Sequence, residues 1–219
     1  MADASIMVFV DHVAANTHLG PYNIPNIHGL SDLDKVLSAA AFRYAMVVCG
    51  GHGSPLGLQH GTGQLVSPHA LLSAVKKVQG AEISIVFLCQ CFAGTFHFMD
   101  ATAGPIQFIL IGSTNFYPTI STGMQLKVPV NTSAGTPGLA QWGANLYQVG
   151  LFEWLSNPKD IDGDGAVTLI DAYKYAGITT IQRIQEVWTR AFSELRKEQD
   201  DLAAAEQRGE QQVVLDAHR

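Results

Sequence analysis

Two short stretches of this chain hand over reactive side chains where apolar runs stop. Residues 84–94 read S-I-V-F-L-C-Q-C-F-A-G, and residues 45–53 read A-M-V-V-C-G-G-H-G. Each begins like a strand buried on both faces of a parallel sheet and ends at small, turn-forming residues. The first delivers Cys91, the second His52 followed by Gly53. A neutral thiol is a poor nucleophile, and an imidazole that takes its proton turns it into a thiolate. The same imidazole can later return that proton to a leaving amine. Attack on a carbonyl also needs donors aimed at the developing oxyanion. Gly53 has no side chain to keep its N–H from a substrate, and the N–H of Cys91 is the second candidate donor. In open α/β sheets the sites lie at the carboxyl ends of the strands, so two strand ends place base and thiol on one edge. This pattern is that of a cysteine peptidase.

The elements that must position this pair follow in order along the chain. Residues 5–13 read as a first strand, 44–49 as a second, 82–91 as a third and 105–112 as a fourth. Ser31, with acids behind it, is expected to cap a helix running to about Phe42, and Ser67-Pro68 to open another. A short helix is expected near residues 95–99. Strands alternating with helices imply an α/β fold, a mostly parallel sheet between helical layers. Residues 113–137, rich in Ser, Thr, Gly, Asn and Pro, read as a long loop, and 139–155 as helical.

An apolar strand ending in His-Gly, followed 39 residues later (91 − 52) by another ending in Cys-Phe-Ala-Gly, resembles the caspase-like group. That group includes caspases, metacaspases, legumains and gingipains, and the likeness spans roughly residues 5–176. It implies a three-layer caspase-like sandwich, a His52–Cys91 dyad and hydrolysis of peptide bonds through a thioester acyl-enzyme. The chain departs from the pattern in three places. Cys89 stands where many metacaspase-like members carry an acid that helps bind a basic P1 side chain, Gln90 replaces a small residue, and Ala93 stands where Ser is usual. Cleavage after Arg or Lys is therefore not expected; a neutral or small P1 side chain is, with Ser113 and residues up to 121 as candidate walls.

Other readings of the same residues compete. Cys49 reads as a core thiol, and Cys89 as either core or pocket wall. Together Cys49, His52, Cys89 and Cys91 also make up a potential tetrahedral zinc set. On the same fold, a catalytically inactive, calcium-binding interaction module is the alternative to an enzyme.

Residues 160–171, D-I-D-G-D-G-A-V-T-L-I-D, follow the EF-hand rule. Asp160, Asp162 and Asp164 supply side-chain oxygens, Ala166 its carbonyl, Thr168 its hydroxyl or a water, and Asp171 the twelfth position. Asp171 is one methylene shorter than the usual Glu, as in dockerin-type loops. Calcium is the expected cofactor; a solvated acidic turn that caps the next helix is the plainer alternative.

From Ile181 the chain changes character. Ile181, Ile184, Trp188, Ala191, Leu195 and Leu202 fall on a heptad seam of one long amphipathic helix ending near Gln207 or Gly209. It is expected to pack on its own domain, or to dock a partner or a second copy. The domain division expected is 1–178 for the peptidase-like part and 179–219 for the helix and tail. The 219 residues are 47% hydrophobic and 15% charged, enough for a substantial core. A net charge of −6 without a basic run argues against nucleic acid. No stretch reads as a membrane span or a signal peptide. Three cysteines, an odd number, make no disulfide framework and point to a reducing, cytoplasmic setting. The expected partner is a peptide or protein substrate.

Overall fold

The computed structural model describes residues 6–10, 27–59, 63–98, 106–117, 123–131 and 137–207, with backbone alone for 123–131 and 137–143. Its centre is a three-stranded parallel sheet in the order β3 (Tyr44–Gly50), β7 (Ile83–Cys89), β8 (Gln107–Gly112). Tyr44 pairs with Ile83 and Gly50 with Cys89, while Leu88 pairs with Gly112. The central strand is the most apolar, and Val86, Phe87, Leu88 and Cys89 have no exposed surface. Each large side chain buried to that extent contributes about 1.5–3 kcal/mol.

Alternation along the strands divides the core into two faces. Val47 and Cys49 of β3, Val86 and Leu88 of β7, and Phe108 and Leu110 of β8 pack with α1 (Leu33–Ala39) and α2 (Pro68–Val75). Val48, Ile85, Phe87, Cys89 and Ile111 pack on the other side. Their partners are Tyr147, Leu151 and Trp154 of α3 (Leu146–Ser156) and Ala172 and Ala176 of α4 (Leu169–Gln207). Helices thus cover both faces of an α/β sheet. A second parallel pair joins β1 (Val8–Val10) to β2 (Ile27–Gly29). Among the described residues, no helix is long and apolar enough to cross a membrane.

Local signals explain several boundaries. Ser67 accepts a hydrogen bond from the Ala70 N–H and Pro68 follows it, so α2 starts as expected. Ser31 does not cap α1: residues 30–32 form a 3-10 turn, the helix starts at Leu33, and extended Ala40 ends it before Phe42. The Gly-rich connection after β3 holds a small antiparallel sheet of β4 (Gly53–Ser54), β5 (Gly57–Gln59) and β6 (Leu65–Val66). The expected third strand stops at Cys89, so Cys91 lies in the following turn, before a 3-10 stretch over Ala93–Phe98. The first strand is described only as Val8–Val10; residues 5 and 11–13 lie outside the described residues.

The loop expected over 113–137 and the helix expected over 139–155 need correction. β9 (Gly123–Asn131) and β10 (Pro137–Asn145) form an antiparallel hairpin, Gly123 pairing with Asn145, and α3 begins only at Leu146. The sequence M-Q-L-K-V-P-V-N from Met124 alternates apolar and other residues, the period of a strand. The last helix, α4, starts at Leu169 and runs through residue 178 without a break.

Candidate active site and acidic loop

Because β3 and β7 are parallel neighbours, their carboxyl ends emerge side by side. Beyond β3, Gly51 takes φ +130°, a region that favours glycine, and the chain turns to present an exposed His52 before entering β4. The His52 carbonyl accepts from the Gln59 N–H at 2.9 Å, tying this corner to β5. Beyond β7 the chain passes Gln90 and Cys91 and turns at Phe92, whose φ of +58° is unusual for a bulky residue. The two corners touch. A Cβ added at Gly53 would lie 2.0 Å from the Cys91 carbonyl oxygen and 2.8 Å from Gln90 Cγ. Only glycine fits there, so the missing side chain lets the His52–Gly53 corner lie against the Cys91 backbone.

The Cys91 turn is held from the far side by the segment after β8. Thr114 Oγ1 donates to the Gln90 carbonyl at 2.9 Å and accepts from the Ala93 N–H at 3.0 Å, bracketing Cys91. The Gly94 N–H donates to the Asn115 carbonyl and the Phe92 N–H to that of Tyr117. From sequence Thr114 fell only within the 113–121 stretch expected to wall the pocket, not as the residue that brackets Cys91. Its signal was register: Leu88 pairs with Gly112, which sets Thr114 level with Gln90.

Around this edge lie polar groups that the fold leaves unsatisfied. Gln90 is 1% exposed, and neither its amide oxygen nor its amide nitrogen has a hydrogen-bond partner. Ser113 donates its N–H to the Leu88 carbonyl, while its hydroxyl is buried and unpartnered. A buried polar group left so costs about 1–3 kcal/mol. The side-chain amide of Gln148, from α3, lies over Gly50 at the same edge.

Cys89 has no exposed surface to offer a pocket; it packs in the core against α3 and α4. Burial, reinforced by Cys49, pushes its thiol up to about 12, and burial does the same to Cys49. Cys49 is half-buried and packs against the core on the opposite face of the sheet. The zinc set of Cys49, His52, Cys89 and Cys91 therefore does not assemble, and none of the three cysteines forms a disulfide.

In the acidic loop between α3 and α4, Asp160, Asp162 and Asp164 each bring one carboxylate oxygen within 4.8 Å of the others. Backbone donors shape the loop: Gly163 N–H and Gly165 N–H donate to Asp160, Asp164 N–H to Asp162, and Ala166 N–H to Asp164. Gly163 and Gly165 take φ of +77° and +87°. Such a trio can hold a hard cation. One of its oxygens, Asp162 Oδ2, is already paired with the Lys174 ammonium at 2.7 Å, which holds the Asp162 carboxyl below its usual range. Asp171 stands apart. It is buried and accepts from Ile161 N–H, Thr168 N–H and the Thr168 hydroxyl, with the Ile161 and Thr168 amides holding it at about 2. Val167 is 56% exposed. Compared with protein-family models, with curated proteins and with solved structures, the chain finds no match in any of the three.

Proposed function

We propose that the chain is a caspase-like cysteine endopeptidase acting through His52 and Cys91. The observation that carries this reading is the contact between the Gly53 corner and the Cys91 backbone at the carboxyl edge of two parallel strands. His52 takes the Cys91 proton, and the thiolate attacks the scissile carbonyl. The N–H groups of Gly53 and Cys91 stabilise the oxyanion. His52 then protonates the leaving amine, and water, deprotonated by the same imidazole, hydrolyses the thioester. The P1 side chain is neutral or small, and of the expected walls the Ser113 hydroxyl is buried away from it. In the acidic loop, Asp160, Asp162 and Asp164 hold calcium, with Ala166, Thr168 and Asp171 completing the set as the loop adjusts. The protein works in the cytoplasm on peptide or protein substrates.

The test is a peptide-library profile of the purified protein, with and without calcium, beside Cys91→Ala and His52→Ala. Both variants should lose cleavage by at least a hundredfold with unchanged far-UV circular dichroism. Cleavage retained by Cys91→Ala would overturn the assignment. The acid trio favours a second reading, a non-catalytic calcium-binding interaction module on the same scaffold. An intact fold that binds calcium yet leaves Cys91 inert toward peptide electrophiles would select it.

A further inference from the structure

Between Ile178 and Leu195, α4 leaves its large apolar residues uncovered. Ile181 is 59% exposed, Trp188 57%, Phe192 69% and Leu195 51%; Ile178 and Val187 are each about half exposed. Hydrophobic residues scattered singly need no explanation, but Ile181, Trp188, Phe192 and Leu195 share one face of one helix, with Ile178 and Val187 on its two flanks. The face has coiled-coil spacing. Gly177, Ile184 and Ala191 recur every seven residues, and so do Ile181, Trp188 and Leu195, the two sets interleaved at steps of four and three. A Cβ at Gly177 would meet nothing within 4 Å, so the seam is open at that end too.

We infer that a second copy of this chain docks antiparallel on this seam, centred near Glu186. Side-chain size selects the occupant and its direction. Antiparallel helices set one interleaved set against the other. Gly177 then faces the partner's Leu195, Ile181 the partner's Ala191, and Ile184 the partner's Trp188. Every small residue meets a large one, which is what close packing between helices requires. On the flanks, Ile178 meets the partner's Phe192 and Val187 the partner's Val187. A parallel, in-register pair would instead set Trp188 against itself, Gly177 and Ala191 against themselves, and would bring Glu198 onto its own copy. The six large side chains still expose on the order of 600 Å² of apolar surface per chain, close to the roughly 800 Å² per partner that stable interfaces bury.

Sedimentation velocity on the full chain tests this. The expected species at about 50 μM has twice the 23.5 kDa chain mass. Trp188→Glu with Leu195→Glu, both at exposed positions, should give a monomer with unchanged helix content. Direction is read by disulfide crosslinking in a Cys49→Ala, Cys91→Ala background, where the remaining native thiol, Cys89, is buried in the core. Ile184→Cys mixed with Trp188→Cys should crosslink, while neither protein alone should. A wild-type monomer at 50 μM, or a dimer that survives the double Glu substitution, overturns the proposal. Crosslinking of either single variant with itself overturns the antiparallel register.

Discussion

At Cys49 and Cys89 the loss of solvent keeps the thiol protonated, because burial pushes both up to about 12. A thiol with that value is about one part in ten thousand thiolate at pH 8, while an ordinary one is tens of per cent. Cys91 differs from both by position, past the strand in a turn beside the Gly53 corner, and from Cys89 by being only half-buried, as Cys49 also is. Between pH 7 and 9, iodoacetamide should therefore label Cys91 in the folded protein at least a hundredfold faster than Cys89, with half-buried Cys49 between them. Raising the pH toward 12 should bring in Cys49 and Cys89 as their thiols ionise, and denaturant should do so at pH 8. Peptide mapping of the alkylated protein checks this; equal labelling of all three under native conditions would contradict the burial. Much of this contrast was legible in advance. Cys49 reads as core from its place inside an apolar run, and His52-Gly53 and Cys91 stand out as strand-end residues. The placement of Cys89 was open, because alternation assigns a face but not what covers it. Its cover is Tyr147 and Leu151, about 60 residues away in sequence.

The elements follow the same division between local and distant causes. Ser67-Pro68 announces α2 through a cap that only neighbouring residues make. The parallel strands β3, β7 and β8 are visible as apolar runs. The β9–β10 hairpin was missed because glycines, serines and threonines outweighed the alternating pattern inside it, and because its partner strand reads weakly as helix. The bracketing role of Thr114, a residue expected only as one of several pocket walls, was missed for a different reason: it comes from being level with Gln90 across the sheet, and hydroxyls in loops are common. Helix packing also turns on one distant contact. Gly150 of α3 lies so close to α4 that an added Cβ would fall 2.5 Å from Thr179 Oγ1 and 3.0 Å from Ala176 Cα. The Thr179 side chain already donates to the Tyr175 carbonyl, so it is not free to swing away without losing that bond. Gly150→Ala should gain helix propensity within α3 yet push the two helices apart, and overpacking of this kind costs about 1–3 kcal/mol. Urea unfolding should show the loss; a stabilised variant would mean the helices separate freely.

Across the whole molecule, α3 and α4 form one covering layer, and the acidic loop sets how they join. The loop's backbone donors already hold the Asp160–Asp164 trio in place, so ordering by a cation would add little strain there. What opposes binding is Lys174, whose ammonium occupies Asp162 Oδ2 from the first turns of α4. Calcium has to displace that ammonium, and exposed ion pairs of this sort are weak. Millimolar calcium should thus raise the melting midpoint by about 5 °C over the chelated protein, by mass action on the folded state alone. Asp160→Asn with Asp162→Asn should abolish the shift. Lys174→Met should tighten binding by a few fold, because an oxygen is released without removing a ligand. Isothermal titration on the three proteins measures each term. If wild type and Lys174→Met both show no heat and no shift, the loop serves only as the turn through which buried Asp171, accepting from the Ile161 and Thr168 amides, anchors the start of α4.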